Sequence, residues 1–146
     1  MSAKQILAAI AIVLLLAVPA AAAPLKITKR EIKEEKAHYT IEVTYPKTGH
    51  AVIDRALEAW AVSVEREFRE LVAEPAQSPS PWAVDLKYEI ARNDDAMFAV
   101  VFTHYSYTGG AHPNTFRHTF NFLMPDGADV ELRELFTLRG VQRISD

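Results

Sequence analysis

The chain has 146 residues, the length of one domain with room for a leader. Its formal net charge is −3 and its basic residues form no long cluster, which argues against nucleic-acid binding through a basic face. It contains no cysteine, which excludes disulfides, thiolate zinc sites, cysteine nucleophiles and a lipid anchor on a cysteine after the leader. Aromatic content of 10% and charged content of 24% suit a globular domain with a real core.

Residues 1–23 open with one basic side chain, Lys4, and residues 6–18 then carry no polar one. Pro19 interrupts the apolar run and four alanines follow, the pattern of a secretory signal peptide. Cleavage is expected after Ala22, because cutting one residue later would place Pro24 directly after the scissile bond. The competing reading is an uncleaved anchor, since residues 6–25 are uncharged and nearly long enough to span a bilayer. Residues 1–22 are therefore expected as leader and residues 23–146 as the domain, in a periplasmic or secreted setting. A membrane is involved only if the leader stays attached.

Residues 25–35 alternate loosely and are rich in Lys and Glu, which predicts an edge strand whose charges discourage edge pairing. Tyr39, Ile41, Val43 and Tyr45 then fall on one face of a strand, with His38, Thr40, Glu42 and Thr44 on the other. Pro46 and Lys47-Thr48-Gly49 end it. Over residues 50–73, Ile53, Leu57, Trp60, Val64, Phe68 and Leu71 recur at three- and four-residue spacings, the apolar stripe of a helix. Trp60 in that stripe reads as core, and the charges on the other faces, Glu65 and Arg69 among them, as solvated surface. Three prolines and two serines in residues 74–81 make a crossover loop. Residues 82–91 alternate as a half-buried antiparallel strand, Arg92-Asn93-Asp94-Asp95 turn the chain, and residues 97–107 return. A further strand over residues 115–123, a turn at Pro125-Asp126-Gly127 and a short strand over 129–132 follow. Glu134-Leu135-Phe136 starts a helical turn. The expected fold is α+β, an antiparallel sheet packed against one long amphipathic helix.

The candidate site is the loop between the two strands around Gly109-Gly110. Adjacent glycines permit positive φ, and Gly109-Gly110 predicts a sharp reversal with both residues in that region. Tyr105 and Tyr107 precede it, and His112, Pro113 and Asn114 add a stiff polar shoulder after it. Tyr105, Tyr107, Gly109, Gly110, His112 and Asn114 are the predicted binding residues, with tyrosines supplying contact area at low entropic cost. The bland alternative is a decorated hairpin. Catalytic chemistry has little support. Ser106 and His104 lie on one strand with no acidic orienting group nearby, and no nucleophile elbow, P-loop or dinucleotide fingerprint occurs. His104 and His118 could approach across the strand pair, but a third zinc ligand is missing. No cofactor and no metal are expected. The runner-up is an envelope hydrolase using His112, and a third alternative is a structural fragment with no ligand.

Tyr105-Ser106-Tyr107-Thr108-Gly109-Gly110-Ala111-His112, then Asn121-Phe122 with Gly127, then Leu132 to Phe136, resembles a known pattern. It is similar to the extracytoplasmic domain of PdaC-type peptidoglycan deacetylases and RsiV-type anti-sigma factors, "Y-x-Y-x-G-G-A-H", "N-F-x-x-x-x-G" and "L-x-x-L-F". The resemblance implies, in one branch, an ectodomain that binds lysozyme. In the other it implies a non-catalytic accessory module, or accessory domain, of a peptidoglycan deacetylase. The implied partner is a lysozyme-like protein or peptidoglycan, and the role is binding rather than catalysis. Relatives continue through more strands and a helix, so the domain is expected to be incomplete at its C-terminal end.

Overall fold

The computed structural model describes residues 23–73 and 80–130. Among them lie β1 (Thr28–Glu35), β2 (Tyr39–Lys47), α1 (Ala51–Val72), β3 (Trp82–Asn93), β4 (Met97–Tyr107), β5 (Asn114–Leu123) and β6 (Ala128–Asp129). Residues 1–22, expected as a leader, most of the Pro/Ser loop, and the segment holding Leu132, Leu135 and Phe136 lie outside the described residues.

The six strands form one sheet in chain order, and α1 covers one of its faces. Alternation makes this possible: Ile41 and Val43 of β2, Val84 and Leu86 of β3, and Phe98, Val100 and Phe102 of β4 all point to the helix side and are buried. On α1 the buried apolar residues are Ile53, Leu57, Ala61, Val64 and Phe68. Each large one contributes about 1.5–3 kcal/mol relative to exposure.

Three expectations are corrected here. The sheet is mixed, not antiparallel, because β2 and β3 pair in parallel, with Ile41 opposite Val84 and Val43 opposite Leu86. A parallel pair needs a long crossover, and α1 with its following loop is that crossover. Trp60 is not at the centre of the helix stripe. Ala61 sits there, fully buried, and Trp60 packs on the flank, only partly buried. Leu71, at the end of the predicted stripe, is 55% exposed.

Two corners fasten the layers. Asp54, buried in the first turn of α1, accepts from Thr48 N at 2.6 Å, Thr48 Oγ1 at 2.8 Å and Gly49 N at 3.1 Å. A carboxylate there also complements the helix N-terminal partial charge. At the other end Arg69 holds Glu34 of β1 at 2.7 Å and also bonds Glu65, while Tyr39 Oη donates to Glu34 at 2.8 Å. Glu65 and Arg69 therefore tie the helix to the edge strand, where the sequence placed them on a solvated face. Arg69 first, and the Tyr39 hydroxyl second, hold the Glu34 carboxyl below its usual value.

Candidate functional site

The β4–β5 hairpin divides the predicted site residues among three places. Tyr105 and Tyr107 are two apart on β4 and share one face. It is the face opposite α1, since Phe98, Val100 and Phe102 occupy the other parity and are core. Asn114 pairs with Ser106, which puts it on the α1 side of the sheet, away from both tyrosines. His112 is exposed in the loop, where its Nδ1 lies 3.0 Å from the Pro113 carbonyl oxygen. The hairpin brings Tyr105 and Tyr107 together, then, and separates them from His112 and Asn114.

The reversal depends on one glycine rather than two. Gly109 has φ +83, whereas Gly110 is not among the positive-φ residues. A Cβ on Gly110 would approach nothing closer than the His112 carbonyl at 3.8 Å. Gly109→Val is expected to cost about 1–2 kcal/mol from the left-handed conformation alone. Gly110→Val should lie within ~0.5 kcal/mol of the parent. Equal losses in paired urea titrations would show that the second position carries backbone strain as well.

On the tyrosine side Thr44, Pro46 and Ala99 are buried, whereas the end of the sheet that holds Tyr105 and Tyr107 is half-exposed. Strand register lines up Lys33, Glu42, Asp85, Tyr105 and Thr115 in one row across β1 to β5. The neighbouring row is Glu35, Thr40, Ala83 and Tyr107. Small side chains at Thr40 and Ala83, beside longer ones at Glu42, Asp85 and Tyr105, leave a groove of about 410 Å³. Asp85 is paired with Lys87 at 2.5 Å, and that hydrogen bond raises the Lys87 ammonium above its ordinary value. Glu42 and Asp85 stand directly opposite one another in the parallel pair. Alternation put each on the polar face, but only the β2–β3 register brings them side by side.

On the α1 side, the outer part of the hairpin carries aromatic rings. His118 stacks on Trp60 at 4.8 Å with 17° between planes, and Trp60 also meets Phe102 at 4.7 Å and Phe120 at 5.6 Å. His118 itself is exposed and Phe116 is 60% exposed, so this face points inward only at its β6 end. His104 is half-buried, 6.4 Å from the Phe116 ring. Among the described residues, no group of three or more His, Cys, Asp or Glu is arranged to hold a metal ion.

Burial lowers the His104 imidazole below its ordinary value of 6.5, opposed by the charge of Glu67. The unfolded chain therefore takes up this proton more readily than the folded one, so stability rises with pH through the window. The contribution is complete above the unfolded value and is lost as pH falls from there through the folded value. Melting temperature should accordingly decline as pH falls below the ordinary value of 6.5, with a shallower slope in His104→Phe. Identical slopes for parent and variant would assign the decline to other groups.

The family described as Deacetylase PdaC matches residues 32–115, a span that holds the groove and the Gly109 reversal. The peptidoglycan-N-acetylmuramic acid deacetylase PdaC of Bacillus subtilis (strain 168) is 28% identical over 100 residues. That alignment takes in 67% of this chain and 21% of the relative, so the chain matches about a fifth of that protein's length. A DUF3298 family protein of Pseudomonas aeruginosa PAO1 has the same fold, with a TM-score of 0.67 at 14% identity. The superposition covers 84% of this chain and 62% of that one.

Proposed function

Because this chain belongs to the Deacetylase PdaC family, we propose that it is an extracytoplasmic binding domain that recognises cell-wall glycan and performs no chemistry on it. The observation that carries the reading is the sheet face opposite α1, where Tyr105 lines a groove of about 410 Å³ floored by Thr40 and Ala83, with Tyr107 opposite Ala83 in the strand register. Grooves of that volume suit small ligands or single units of a polymer. Tyrosine pairs a broad apolar ring with a hydroxyl, which fits the alternating apolar faces and hydroxyl rims of sugars. The Bacillus subtilis relative is by its name a peptidoglycan deacetylase, and a wall setting for this chain follows that relationship. A lysozyme-like protein is the other partner this surface could take.

Co-sedimentation with purified peptidoglycan, and separately a titration with lysozyme, tests the reading. Saturable binding to peptidoglycan is expected, weakened by more than ~1 kcal/mol in Tyr105→Ala with the melting temperature nearly unchanged. His112→Ala, on the loop tip away from the groove, should bind as the parent does. Binding to lysozyme alone would assign the surface to a protein partner. Release of acetate or of glycan fragments by the purified chain would make it an enzyme and overturn the reading.

A further inference from the structure

We propose that the open edge of β5 pairs with β5 of a second copy of this chain, joining two sheets across a two-fold axis. Strand β5 has β4 along one side, but β6 accompanies it only at Phe122 and Leu123, with one further bond from Val130 N to Asn121 O at 2.8 Å. Backbone groups alternate in direction along an antiparallel strand, so that bond fixes which residues face the open side. Thr115, Arg117 and Thr119 share the parity of Asn121, and their N–H and C=O groups have no backbone partner among the described residues. The opposite edge of the sheet is guarded: β1 is dense in Lys, Arg and Glu, whereas Arg117 is the sole Lys, Arg, Asp or Glu in β5. Edges without charge, proline or bulge are the ones that take up another strand. The helix does not shield this edge, because α1 lies over β2 and β3.

The occupant is a second copy because β5 is complementary to itself. An antiparallel pairing centred on His118 sets Arg117 opposite the partner's Thr119 and Phe116 opposite the partner's Phe120, each relation occurring twice. Aromatic rings directly opposite one another attract, while centring on Arg117 would set two guanidinium groups face to face. Phe116, 60% exposed in the single chain, gains a ring neighbour. Pairing stops at Asn121, which Val130 already occupies, so the contact is confined to residues 116–120. So short a contact is far smaller than a standard interface, and a dissociation constant on the order of 100 μM is expected. In dilute solution the chain is then monomeric and Phe116 stays exposed. The two-fold axis stands perpendicular to the sheet, which puts both helices on one side and both Tyr105 grooves on the other. A polymeric ligand of the kind proposed above would be held at two points.

Sedimentation velocity of the full chain, from about 10 μM to about 1 mM, brackets that constant. A shift from monomer to dimer across the range is expected. Thr119→Lys sets a like charge against Arg117 at both ends of the seam and should weaken the dimer about tenfold. Thr119→Glu sets an opposite charge there and should tighten it several-fold. Thr119 is exposed, so both variants should melt with the parent in dilute solution. A monomer at every concentration overturns the proposal, as does a dimer indifferent to both variants, which would be joined elsewhere. Slow amide exchange at Arg117 and Thr119 in the dilute monomer also overturns it, because residues 131–146 would then hold the edge. None of these results touches the glycan reading, which peptidoglycan binding by the dilute chain tests separately.

Discussion

Phe102→Ala is expected to destabilise the domain by about 3–5 kcal/mol, the range for emptying a buried aromatic site. Phe102 is fully buried on β4. Its ring meets Trp60 at 4.7 Å, Phe120 at 6.0 Å and Tyr88 at 6.2 Å, joining helix, β3 and β5 at one point. Removing it leaves a cavity bounded by rigid rings on three elements, which collapse poorly. A loss of this size is a large share of the ~5–15 kcal/mol that holds a domain of ordinary stability. Phe116→Ala is the matched control. It sits on the same face two register positions along but is 60% exposed, so its cost should stay near ~0.5 kcal/mol. Urea titration of both variants distinguishes them. Comparable losses would mean that the outer half of β5 is covered in solution.

Gly127→Ala should be the most damaging single-methyl change in the described residues, about 2–4 kcal/mol from two sources. The residue has φ +67, which an L side chain resists. A Cβ there would also stand 2.5 Å from His50 Cε1, 2.9 Å from His50 Nδ1 and 3.2 Å from Ile53 Cγ1. The ring cannot simply swing aside, because His50 Nε2–H donates to the Pro125 carbonyl at 2.9 Å. That bond joins the start of α1 to the β5–β6 turn, and it leaves His50 Nδ1 buried with no partner. His50→Ala in the Gly127→Ala background removes the collision and leaves the φ strain. The double variant should therefore be less unstable than the sum of the singles. Strict additivity would mean that the ring and the turn do not press on each other. Gly49, with φ +82 but open space around its Cβ position, should show the conformational cost alone.

Family and site met the sequence in different ways. The motif around Gly109-Gly110 led to the right family because a reversal with a fixed set of neighbours is a local pattern. The six motif residues nonetheless do not form one surface. Period-two alternation already put Tyr105 and Tyr107 on a common side, but nothing local says which side a helix covers. Asn114 lies on the other side because the hairpin register, set by the loop geometry, pairs it with Ser106. Glu42 and Asp85 are 43 positions apart in the chain, and no spacing rule relates them. Their adjacency is a property of the parallel pairing.

Periodicity by itself determined the strands β2 to β5, the helix and the charged edge at β1, because alternation and the 3.6-residue repeat are written within each segment. The glycine at 109 was legible for the same reason, since its backbone angle is a demand of the loop itself. Only tertiary structure decided that β2 and β3 run parallel, that Ala61 rather than Trp60 lies under the sheet, and that Leu71 is beyond the sheet's reach. It also decided that Glu34, Arg69 and Glu65 form a tie and that two carboxylates share a groove with a tyrosine. Each of these depends on the direction and register in which distant strands meet. That choice is made by the burial of whole faces against one another, and no single segment contains it.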